Sequence, residues 1–210
     1  MQQVIKAIDW LSSVGGMAHW HSIVDIPCEA GDVNRLKARH DAARRFASVR
    51  WSEGEEYRTV GGCYSELVGL TLAYSAFDYM RDVCFRIGPR DWKGRRIFYA
   101  TLDLSPLDES MQITDRLFPN RALATRLAPL VNKPLTERLE DINEPWPALR
   151  LSEAIRHSFV HGKLSPSGGG VEAGELQQVC GALRVGLLDV VTQHMMQTVD
   201  APIHQMYCGD

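Results

Sequence analysis

The sequence contains no apolar run near the roughly 18 residues that a bilayer-crossing helix requires, so no transmembrane helix is expected. It has no excess of positive charge. With Lys+Arg 23 against Asp+Glu 26, the formal net charge is -3, and no global field draws the chain toward a polyanion. Any binding of nucleic acid must therefore come from a local cluster. No CxxC pair is present, and the five cysteines, Cys28, Cys63, Cys84, Cys180 and Cys208, are odd in number and far apart. That pattern fits reduced thiols in a cytosol better than a disulfide framework or a zinc ribbon. The first residues, Met1 to Lys6, lack the long apolar centre of a secretory leader, and a cytoplasmic location is the expectation. No P-loop, GxGxxG or GxSxG motif occurs, which argues against the common nucleotide-dependent and hydrolase classes.

What is present suits an ordinary globular domain: 45% hydrophobic and 23% charged residues across 210 positions, long enough for one real core. We read a single domain over 1–210, with 89–147 as an insertion or an elaborated connection. Apolar residues at Val4, Ile5, Ile8 and Leu11 predict a short helix over 2–14, stopped by Gly15-Gly16. Asp32 is a candidate N-cap for a helix to about Val49, rich in Arg35, Lys37, Arg39, Arg44 and Arg45. Gly61-Gly62 reads as a break. A long helix is predicted over 64–87, with Leu67, Leu70, Tyr74, Phe77 and Cys84 in one row and Val68, Leu72, Tyr79 and Val83 in another.

Pro89, Pro106, Pro119, Pro129, Pro134, Pro145 and Pro147 cut the next stretch into short pieces. Arg96–Leu104 is a candidate strand or extended arm, and short helices are expected near 120–131 and 135–141. A helix over 148–162 follows, with Leu151, Ile155 and Phe159 as its core row and Gly162 as its stop. The last helix, 171–199, carries an unbroken stripe from Leu176 through Val179, Cys180, Leu183, Leu187, Val190 and Val191 to His194. The fold class is mainly α, because long helices with apolar stripes bury them by packing together.

The chemistry concentrates at Arg156-His157-Ser158-Phe159-Val160-His161-Gly162. Arg156 and His161, five apart, lie roughly 140° apart around the axis, whereas His157 and His161, four apart, share a face. Cleavage of RNA by its own 2′-hydroxyl needs a proton acceptor, a proton donor and a cation for the phosphorane. Histidine serves either proton role near neutrality, and arginine offers a planar fork to phosphate oxygens. Two copies related by a two-fold axis would bring together groups that one helix separates.

Arginine, a polar residue, three more and then histidine, at the end of a penultimate helix, resembles the Rx4-6H signature of the HEPN superfamily. The stretch Leu151–Gly162 is also similar to the family's usual sequence there, and a long apolar helix containing Asp78 resembles its earlier bundle helix. The likeness covers helices 64–87, 148–162 and 171–199, and the 89–147 stretch departs from the compact family pattern. The resemblance implies an up-and-down four-helix bundle that dimerises and cuts RNA without metal or cofactor, leaving a cyclic phosphate. Members act as toxins or defence effectors, so an antitoxin protein is a candidate partner. Carried onto this chain, it makes Arg156 the phosphate holder, His161 the acid/base and His157 its assistant. Ser158, Asp78 and Lys163 are substrate-binding candidates.

Plainer readings stand beside these. Arg156 could pair with Glu153 as a solvated helix residue. His157 with His161, or His19 with His21, could hold a metal, although no third ligand is evident. The basic run Arg35–Arg50 reads as a solvated face before it reads as an RNA track. His194 reads as a satisfied core or interface histidine. The rival function is a non-catalytic helical dimerisation module that binds a protein partner, a nucleotide or RNA.

Overall fold

In the computed structural model the described residues are 30–49, 58–87, 103–107, 109–110, 120–141, 147–166, 171–195 and 197. They are mainly helical, with no strand among them. The helices are α1 (Ala30–Arg45), α2 (Arg58–Ile87), α3 (Asn120–Leu127), a 3₁₀ turn (Ala128–Leu130), α4 (Lys133–Glu140), α5 (Pro147–Val160) and α6 (Ala173–Met195). The expected helix over 2–14, the His19/His21 pair, Arg50, most of the candidate strand at 96–104 and the tail after Asp200 lie outside the described residues.

The two apolar rows of the 64–87 region require cover on several sides, and α2 has it. This helix of 30 residues, about 45 Å long, packs against α1, α5 and α6. Its Leu67, Leu70, Ala73, Phe77 and Met80 are buried against the α6 stripe of Leu176, Val179, Leu183, Leu187, Val190 and Val191. The α2–α6 seam is the most extensive among the described helices. Gly61-Gly62, read as a break, lies inside α2. The reason is close approach: a Cβ on Gly62 would sit 2.8 Å from the Gln177 amide, and one on Gly69 2.7 Å from the Arg184 side chain. Glycine here admits the neighbouring helix instead of ending its own.

Contacts advance together along α2 and α6, from Gly62 with Gln177, through Glu66 with Arg184, to Cys84 with His194, so these helices run parallel. α1 runs the opposite way. Asp32 near its start meets Tyr79, and Val49 beyond its end meets Ser65. α5 also opposes α2, with Phe159 beside Tyr64 and Arg156 beside Tyr74.

Asp32 is not the cap of α1, which begins at Ala30. It is a buried carboxylate that accepts the Tyr79 hydroxyl at 2.9 Å and Arg35 at 2.9 Å. The 16-residue α1 still has the charge order a helix dipole favours, acid in the first turn and Arg44 and Arg45 in the last. Three prolines of the connection lie in first turns of helix. Pro129 is the second residue of the 3₁₀ turn, Pro134 lies in the first turn of α4 behind an Asn132 cap, and Pro147 starts α5. α3, the 3₁₀ turn and α4 form a small layer, and α3 and α4 pack on α5.

Candidate active site at the end of α5

The end of α5 is fixed by its backbone. Gly162 takes φ 68°, the left-handed conformation that glycine adopts without cost. Its N–H donates to the Phe159 carbonyl at 2.9 Å, while Lys163 and Leu164 N–H donate to the Ser158 carbonyl at 2.8 and 3.0 Å. This crossed pair of bonds is the Schellman closure, and the buried Leu164 just beyond it anchors the departing chain. The helix therefore stops where the sequence places its stop, and His161 sits at the C-cap.

Side chains divide around this end. Ala148, Leu151, Ser152, Ile155 and Ser158 form the innermost row. Phe159, expected in the core row, is half-buried and meets Tyr64 with ring centroids 6.3 Å apart. Ser158, a substrate-binding candidate, is instead fully buried, and its hydroxyl has no hydrogen-bond partner among the described residues. It sits three residues after Ile155 on the face turned to the core, so it is withdrawn from any surface cleft.

His157 and His161 come together as their spacing requires, with ring centroids 4.4 Å apart. His161 is exposed and His157 half-buried. The His157 imidazole is held below its ordinary value, first by lost hydration and then by the neighbouring His161, Lys163 and Arg156 side chains, with Glu153 opposing. It is therefore a neutral ring at pH 7, able to accept a proton. No third His, Cys, Asp or Glu joins the pair into a ligand cluster among the described residues.

Arg156 does not take the partner that the plain reading offers it. Glu153 is engaged by Arg150, at 2.9 Å, from one turn earlier on the same helix. The Arg156 guanidinium lies 5.9 Å from the centre of the Tyr74 ring instead. Nothing in the sequence marked Tyr74 as a rest for a cation, since it belongs to an apolar row of α2. Asp78, one turn further along that face of α2, forms an ion pair with Arg81 three residues on. Lys163 is exposed and donates to the Leu130 carbonyl at 3.0 Å, tying the site to the 3₁₀ turn of the connection. One end of α5 thus presents a guanidinium, two imidazoles and an ammonium, with the Glu153 carboxylate engaged by Arg150.

The two rings are nearly in van der Waals contact, so no phosphodiester fits between them. No family model, no curated protein and no solved structure matches the chain.

Proposed function

We propose that this protein is a metal-independent endoribonuclease of the HEPN kind, acting as a homodimer in a toxin or defence role in the cytoplasm. The observation that carries the reading is the end of α5. Arg156 is not neutralised by Glu153, and it shares that end with His161 and a neutral His157. The alternation of direction through α1, α2, α5 and α6 supports an up-and-down four-helix bundle, with this site at the end of its penultimate helix.

In this mechanism Arg156 holds the non-bridging oxygens of the scissile phosphate. An imidazole from one copy takes the proton of the 2′-hydroxyl, the 2′-oxygen forms its bond to phosphorus, and the bond from phosphorus to the 5′-oxygen breaks. His161 of the second copy protonates that leaving oxygen. The products are a 2′,3′-cyclic phosphate and a 5′-hydroxyl. His157 serves as the neutral base or orients His161, and Lys163 adds positive charge at the rim.

Purified protein tested on RNA with EDTA present decides the matter. Arg156→Ala and His161→Ala are each expected to lose on the order of 100-fold in rate, the scale of a phosphate clamp or a proton-transfer group. A second reading, a non-catalytic dimerisation module that binds a protein, nucleotide or RNA, draws on the net charge of -3 and on the layer of α3 and α4 laid against α5. It predicts folded protein with no cleavage, and equal behaviour of wild type and both variants.

A further inference from the structure

Away from this site, the far ends of α2 and α6 bring together a thiol and an imidazole. The Sγ of Cys84 lies 3.0 Å from Nε2 of His194. The two residues come from parallel helices, 110 positions apart in sequence, and the seam of buried side chains between those helices fixes their approach. His194 is the last polar residue of the α6 stripe, and Cys84 is one helical turn beyond Met80 in the α2 row.

The other described cysteines provide an internal comparison. Cys63 and Cys180 are buried, and burial pushes the Cys63 thiol up to about 11 and the Cys180 thiol up as well. Both pack as small apolar groups and have little tendency to ionise. Cys84 is instead only partly buried and has a ring nitrogen within hydrogen-bond reach. Lost hydration holds His194 below its ordinary value, so at neutral pH the ring is uncharged and, in the tautomer protonated at Nδ1, its Nε2 accepts a hydrogen bond from the thiol.

We propose that Cys84 and His194 form a nucleophilic thiol site that reacts with hydroperoxides. The Cys84 sulfur attacks the terminal peroxide oxygen and the O–O bond breaks. The thiol proton passes through His194 to the leaving oxygen, giving a sulfenic acid on Cys84 and an alcohol, or water when hydrogen peroxide is the oxidant. Sulfur is oxidised by two electrons and the peroxide is reduced by the same two. The product places a hydroxyl on sulfur at the end of the α2–α6 seam, where the thiol had faced the imidazole. This site lies at the opposite end of α2 from Tyr64, the neighbour of Phe159, and it does not depend on the ribonuclease reading.

The test treats full-length protein with hydrogen peroxide, traps sulfenic acid with a cyclic 1,3-diketone and quantifies each cysteine peptide by mass spectrometry. In the folded protein Cys84 is expected to be trapped at least about tenfold faster than in the urea-unfolded chain, and Cys63 and Cys180 more slowly than in the unfolded chain. His194→Gln, checked for an unchanged unfolding midpoint, is expected to remove the acceleration at Cys84 alone. The native-to-unfolded ratio needs no variant and stands if His194→Gln fails to fold. Cys84 reacting no faster folded than unfolded would overturn the proposal, as would a folded His194→Gln protein that reacts as fast as wild type.

Discussion

Replacing Gly162 by alanine isolates the geometry that ends α5. A Cβ built on Gly162 meets no atom within 4 Å, so neighbouring side chains add no steric cost. What remains is the local backbone. A φ of 68° is left-handed, and an L-residue with a Cβ is penalised there by about 1–2 kcal/mol. Alanine also restricts the unfolded chain, which returns about 0.4–1 kcal/mol, so the net loss is on the order of 1 kcal/mol. For a protein of this length that corresponds to a fall in melting temperature of about 2–4 °C. Asparagine, which tolerates the left-handed region, should lose less than alanine, and valine, branched at Cβ, should lose more. Urea unfolding of the four proteins at constant slope measures this order. A Gly162→Ala protein as stable as wild type would refute the reasoning. It would mean that the chain does not turn left-handed at this point, and the placement of His161 and Lys163 on either side would fall with it.

Two further predictions concern the frame. His40, His157 and His194 all sit below their ordinary value of 6.5, each chiefly through lost hydration. The unfolded chain therefore binds more protons as the pH falls. Stability should be fully present above about pH 6.5 and decline below it, and urea midpoints equal at about pH 7.5 and 5.5 would contradict this. Tyr79→Phe removes the hydroxyl that donates to buried Asp32 at 2.9 Å and accepts from Arg35 Nε at 2.5 Å. It should cost about 1–3 kcal/mol in urea unfolding, and less when Asp32→Asn is already present.

Much of the frame was legible in the sequence because its signals are periodic. The stripe from Leu176 to Val191 marked the last helix, the rows of α2 marked a helix that in fact begins six residues earlier, at Arg58, and Gly162 marked the end of α5. His194 was read as a satisfied core or interface histidine; it is half-buried, and its ring meets Cys84. The signals that misled were those whose meaning depends on a neighbour. Gly61-Gly62 looked like a break because nothing local reveals that Gln177 lies against it. Asp32 has the chemistry of a cap, but Tyr79 draws its carboxylate into the interior. The prolines of 89–147 read as interruptions, and Pro129, Pro134 and Pro147 instead begin turns of helix, where a missing N–H costs nothing.

The site divides in the same way. Spacing alone joined His157 to His161, since i and i+4 share a helix face. Spacing did not show that Ser158 faces the core, because the true inner row passes one residue before Phe159. Nor did it show that Arg150 takes Glu153 and leaves Arg156 to Tyr74. Those are choices among competing partners, and they depend on which helices lie on either side of α5.

The most direct test of the central claim is the rate of RNA cleavage in EDTA by wild type, Arg156→Ala and His161→Ala, with the products identified at each new end. Wild type should leave 2′,3′-cyclic phosphate and 5′-hydroxyl ends, and each variant should be slower by on the order of 100-fold while remaining folded. Cleavage at the same rate by all three proteins, or folded wild type that leaves RNA intact, would contradict it.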